Sequence, residues 1–196
     1  MLQTVFVAIM AYIGTNIDDI FLDTILFAQA QNKYQRYGLY LGQQIGVGFL
    51  ALVSVLGAWG LQTVSAGQVG LLGLVPIAMG IKGVIDYFRK VDDEDENVTA
   101  SGGGLSFMIT MATLTISGGA DNLGLYIPMF AGMTLLQIAV VLAVFCMMSL
   151  IWCTIAQTIA GMPWLKKLMQ KYNKILMPLI LIGLGIYVLA DNGVIF

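Results

Sequence analysis

The chain has 196 residues, of which 59% are apolar and only 10% charged. A soluble domain carries about 25% charged residues, so this composition, with a mean hydropathy of +0.88, describes an integral membrane protein. The formal net charge of −2 comes with no basic patch and no histidine, which excludes nucleic-acid binding, imidazole metal ligands and histidine proton relays.

Apolar runs of roughly 20 residues, the length that crosses a bilayer, predict six helices over 3–30, 37–61, 68–88, 105–131, 134–160 and 174–191. The first lacks a charged leader region and a small-residue cleavage site, so it reads as a spanning helix and not a removable signal. The first, fourth and fifth are longer than a bilayer needs and must tilt, break or project. Basic residues follow the first helix (Lys33, Arg36), the third (Arg89, Lys90) and the fifth (Lys166, Lys167, Lys171, Lys174), whereas 62–67 and 132–133 carry none. The positive-inside rule then puts the basic loops in the cytoplasm and both termini outside, or in the periplasm.

The fold class expected is all-α: six transmembrane helices as two inverted three-helix repeats. Asp18-Asp19 aligns with Asp121-Asn122, and Leu74-Val75-Pro76 with Gly83 matches Leu176-Met177-Pro178 with Gly185. An odd number of helices per half forces the halves to enter the membrane in opposite senses, an architecture that places substrate sites at the midplane. The halves are 1–90 and 105–196. Between them, 91–104 runs from five consecutive acids into glycines and reads as a solvated cytoplasmic linker.

The chemistry concentrates where aspartates interrupt apolar runs. A charged aspartate at mid-membrane costs roughly 2.5–3.5 kcal/mol, so such residues mark ion or proton pathways. Asn16, Asp19 and Asp23 share one helical face, and Thr15 and Asp18 lie on the neighbouring one. A local unwinding near Gly14 to Asn16 is needed for Asp18 and Asp19 to reach one point, and it exposes carbonyl oxygens as further ligands. In the fourth helix, Ser117, Gly118 and Gly119 are poor helix formers placed just before Asp121. Asp18, Asp19, Asp121, Asn122 and Asn16 are the metal-ligand candidates, since oxygen donors of this kind build a shell for a divalent cation. Thr15, Asp23, Gln43, Gly118 and Gly119 are secondary or path positions. Asp23 has no acidic counterpart in the second half, where Leu125 and Tyr126 lie. Each acid also has a plainer reading, as a protonated or helix-capping residue.

Other polar features have plainer structural readings. Lys82 and Asp86 suit a snorkelling i, i+4 pair, Gln43 either a cavity lining or a helix–helix hydrogen bond, and Gly42 with Gly46 a close helix crossing. Cys146 and Cys153 are seven residues apart on one helix, about 10.5 Å along its axis, too far for a disulfide. With Met147 and Met148 they offer soft sulfur to a metal or simply fill the core.

Several segments together resemble the bacterial cadmium-resistance transporter family of the lysine-exporter superfamily. They are Thr15-Asn16-Ile17-Asp18-Asp19-Ile20-Phe21, Tyr40-Leu41-Gly42-Gln43, Leu74-Val75-Pro76 through Gly80-Ile81-Lys82, and Gly119-Ala120-Asp121-Asn122-Leu123-Gly124-Leu125-Tyr126-Ile127-Pro128. The resemblance implies efflux of a divalent metal, with cadmium favoured, and Asp18 and Asp121 as paired acidic ligands. It implies no enzyme activity and no permanently bound cofactor. The first half departs from the family's more usual Asp-Asn pair by carrying Asp19, which makes that half-site more acidic.

The chain has no GxxxxGK[ST] phosphate loop, so export must run on an exchanged ion, and protons are the expected coupling partner. Alternative cargoes are manganese, zinc or calcium. An amino-acid exporter of the same superfamily is disfavoured by the lack of a midplane Arg or Lys, and a membrane redox enzyme by the cysteine placement.

Overall fold

The computed structural model describes residues 1–17, 19–60, 74–89 and 100–162, together with 182, 183, 186, 189 and 190. Among them the chain is helical, with no strand. The helices are α1 (Leu2–Asn16), α2 (Asp19–Gln29), α3 (Lys33–Gly60), α4 (Leu74–Arg89), α5 (Gly104–Gly118), α6 (Ala120–Ala131) and α7 (Leu135–Ala160). The start of the third expected span, most of the sixth and residues 91–99 of the linker fall outside the described residues, as does the Asp86 side chain of the expected Lys82–Asp86 pair.

By length and composition α3 and α7 can each cross a membrane, and α1 with α2, bent by 69° at the break between them, passes the same test as a pair, as a broken span or a re-entrant loop. The surface agrees with a lipid setting. Leu41, Ile45, Phe49, Leu52 and Leu56 are all exposed along one side of α3, a stripe that water would not tolerate at this size. The interior is correspondingly polar for a membrane protein, burying Thr15, Asn16, Asp23, Gln43, Ser54, Thr115, Asp121, Asn122 and Ser149.

The first and fourth expected spans both break, and the local sequence explains why. Near the end of α1, Thr15 Oγ1 bonds back to the Ala11 carbonyl at 3.1 Å and Asn16 Nδ2 to the Tyr12 carbonyl at 2.9 Å. Such side-chain bonds compete with the helical ladder. The break falls just after Asn16, slightly later than the Gly14–Asn16 unwinding expected from sequence. In the second half, Ser117, Gly118 and Gly119 weaken the helix. There the Gly119 N–H turns to the Ile116 carbonyl at 3.3 Å, and the Gly119 carbonyl opens α6 by accepting from Leu123 at 3.0 Å. α7 does not break. Its 26 residues run uninterrupted from a Thr134–Gln137 capping box, which satisfies two donors at its start.

Helices of the two halves pack across one another. α3 lies against α5 and α6, while α7 lies against α2 and α1; α1 touches α6 and α2 touches α5. Tyr40 bonds Thr154 (3.1 Å) and Gln44 Nε2 donates to the Cys146 carbonyl (3.0 Å), so α3 and α7 cross antiparallel. The linker's end is tied to the α2–α3 corner, with Ala100 N–H donating to Gln29 (2.8 Å) and Gln35 to the Gly102 carbonyl (2.8 Å).

The α3–α5 crossing is the tightest. A methyl group at Gly38 or Gly42 would run into the backbone of Gly104 or Met108, and one at Gly46 would lie 2.6 Å from Thr115. The Gly42–Gly46 pair is therefore a close helix crossing, as the spacing predicts. Gly42→Leu is expected to destabilise the protein by about 3 kcal/mol, the upper end of overpacking costs. Gly48→Leu, on the open face where an added carbon meets nothing, should unfold with the wild type in a detergent thermal melt.

Candidate metal centre

The two helix breaks lie side by side. α1 ends at Asn16 and α5 at Gly118, and Asp19 Oδ1 is 3.5 Å from where a Gly118 side chain would begin. Helix C-termini carry partial negative charge that favours cations. Asp19 and Asp121 sit in the first turns of α2 and α6, where the opposite helix end stabilises an ionised carboxylate.

Tyr126 on α6 joins the two breaks. Its hydroxyl is 2.8 Å from Thr15 Oγ1 and 3.4 Å from Asn16 Nδ2. The Asn122 amide is satisfied when its oxygen accepts from Tyr126 (3.2 Å) and its nitrogen donates to Asp121 Oδ1 (3.0 Å) and the Thr15 carbonyl (3.3 Å). Asp121 Oδ1 also accepts from the Asn122 backbone N–H at 2.9 Å. Thr15, Asn16, Asp121 and Asn122 thus meet in one network, all buried.

Asn16 is the most constrained member. Its Nδ2 contacts the Tyr12 carbonyl, Thr15 Oγ1 and Tyr126. Its own carbonyl accepts from the Trp152 indole N–H at 2.8 Å. Its Oδ1 has no hydrogen-bond donor among the described residues, although the side chain is fully buried. The carbonyls expected to be freed by unwinding are instead held: Thr15 by Asn122 and Asn16 by Trp152.

The remaining candidates spread outward. Asp18 lies outside the described residues. Gly119 is packed so closely on Leu50 that a side chain there would collide with it. Gln43 accepts from Thr115 at 2.7 Å and neighbours Tyr12. Asp23 is buried on α2, within electrostatic reach of Tyr12 and Cys153. Cys146 is exposed and Cys153 buried. Among the described residues no three Asp, Glu, Cys or His side chains gather as a metal cluster.

A family model described as cadmium resistance transporter matches residues 12–196. The chain belongs to the cadmium resistance transporter family. This transporter is therefore not an enzyme, its substrate is a divalent metal ion, and its apolar helices fit a membrane setting. No curated protein and no solved structure matches the chain.

Two residues of the network were not candidates from sequence: Tyr126, visible as part of the Tyr-x-Pro segment, and Trp152, one aromatic in an apolar helix. Thr115, which bonds Gln43 outside the network, was likewise not a candidate. A phenol or indole in a bilayer-crossing helix needs a partner for its polar atom, which is the signal that points to Tyr126 and Trp152. Tyr126→Phe keeps the ring stacked 4.6 Å from Phe145 but strands polar groups of Thr15, Asn16 and Asn122. It should cost about 1–3 kcal/mol, measured as metal-free thermal unfolding in detergent.

Proposed function

We propose that this transporter exports cadmium from the cytoplasm in exchange for protons, binding the ion where the two helix breaks meet. The observation that carries the reading is Asn16 Oδ1, a fully buried acceptor at the negative end of α1 with no donor among the described residues. An oxygen lone pair facing neither N–H nor O–H suits a dehydrated cation. Asp18, Asp19 and Asp121 supply the charge, and two or three carboxylates neutralise a +2 ion. Asn122 contributes chiefly by holding Asp121 and the Thr15 carbonyl in place.

The reading includes an inverted repeat of two three-helix halves, and three features support it. Breaks occur at corresponding places in the two halves, after Asn16 and after Gly118. The packing is reciprocal, α3 on α5 and α6 as α7 on α1 and α2. Gln44 bonds the residue 102 positions further on, Cys146, about the spacing of the sequence repeat, so equivalent positions touch as they do at a two-fold axis. Rocking of one half against the other would give alternating access. The loop charges put both termini on the outer side of the cytoplasmic membrane.

Export of a +2 ion against 100 mV, inside negative, costs about 4.6 kcal/mol. Two protons entering per metal leaving makes the cycle electroneutral and removes that electrical cost. Ionised carboxylates take the metal from the cytoplasm, and protons compete it off outside. Cadmium binding should therefore weaken as pH falls. Proteoliposomes should move cadmium faster with an imposed pH gradient, and Asp121→Asn and Asp18→Asn should each abolish the flux. Cadmium transport indifferent to the gradient would sink the exchange.

A further inference from the structure

Trp152 does something that the repeat does not require. At the place corresponding to it, 102 positions earlier, α3 carries Leu50. The two side chains have parallel locations: Leu50 sits on Gly119 at the second break, and Trp152 on Asn16 at the first. The chemistry differs. Leu50 fills space, whereas Trp152 donates a 2.8 Å hydrogen bond to the Asn16 carbonyl.

We infer that Trp152 is a positioning residue for the transported cation. This rests on the proposed metal site. A carbonyl at a helix C-terminus has lost its partner within the helix, and in hydrocarbon no water replaces it. The indole N–H meets that need and fixes the last peptide of α1. Asn16 Nδ2 is held by the Tyr12 carbonyl, Thr15 and Tyr126, so the backbone latch leaves Oδ1 as the one polar atom of Asn16 available to an ion. The ring is itself fixed, edge-on to Tyr12 at 5.9 Å and 78°, and only 6% exposed. Since α7 reaches the break through this residue, displacement of α7 against α1 is transmitted to a ligand.

The test uses the full-length protein in detergent, with cadmium binding followed by calorimetry for wild type, Trp152→Phe and Asp121→Asn. Phe keeps an aromatic ring and removes the donor. A lost hydrogen bond is worth about 0.5–1.5 kcal/mol, so affinity should fall roughly 2–10-fold at a temperature where both proteins are folded, and the metal-free melting temperature should fall as well because the Asn16 carbonyl is left without its donor. In Trp59→Phe/Trp164→Phe protein, where Trp152 is the sole tryptophan, its emission should shift saturably with cadmium. Wild-type affinity in Trp152→Phe, or an emission blind to cadmium, overturns the latch. If Trp152→Phe fails to fold, the emission titration alone decides. If wild type binds no cadmium, or Asp121→Asn binds as wild type does, the metal-site reading falls first and the latch with it.

Discussion

Everything at the centre of this molecule follows from one constraint: a helix broken in hydrocarbon must find partners for the peptide groups it releases, because water is not there to take them. The two breaks meet that demand differently. The second closes within its own backbone, through the Gly119 N–H on Ile116 and the Gly119 carbonyl accepting from Leu123. The first relies on other helices, with Asn122 on the Thr15 carbonyl and Trp152 on that of Asn16. A self-healed break is a rigid turn. A break held from outside depends on where α6 and α7 stand, which makes the first one the sensitive element of the pair.

The same inequality runs through the packing. On one side α3 crosses α5 with backbone nearly on backbone, through Gly38, Gly42 and Gly46. On the other, α7 meets α1 and α6 through rings: Tyr12, Phe145, Tyr126 and Phe130 stack in a chain of tilted contacts, with Trp152 against Tyr12. A glycine crossing has few ways to rearrange short of separation. An aromatic interface has more than one favourable arrangement, since ring pairs are attractive both offset-stacked and edge-to-face over a range of centroid separations. Rocking of the halves would then be accommodated mainly at the aromatic face, next to the break that relies on it.

The helical outline of the described residues was legible because hydrophobic length is a local signal. Asp121 behind Ser117-Gly118-Gly119 announced a broken helix, and the structure breaks there. The Gly42–Gly46 spacing announced a close crossing without identifying α5 as its partner. The α7 span looked long enough to have to tilt, break or project, and it does not break, since its apolar run contains no glycine or proline from Leu135 to Ala160. What could not be read was anything set by long-range pairing. Trp152 meets Asn16 across 136 positions and Tyr126 meets Thr15 across 111. One sequence carries no trace of such pairs beyond the general need of a buried indole or phenol for a partner. The unwound carbonyls, reasonable as ligands from sequence, are occupied for that reason.

The donor set at the junction bears on selectivity. Carboxylate and amide oxygens suit hard cations such as calcium and manganese, and softness would come from thiolate or thioether. Cys146 is exposed, its carbonyl engaged by Gln44, and Cys153 lies within electrostatic reach of Asp23, outside the network at the breaks. If the ion sits at the junction, donor softness is not what distinguishes cadmium there. The distinction has to come from geometry: how closely the oxygens are fixed, and how much of the hydration shell they replace. A site whose ligands are held by Tyr126, Asn122 and Trp152 imposes its own spacing on the ion and does not adapt to it. Rigid placement, together with cavity size and ligand number, is how an oxygen cage selects among divalent ions.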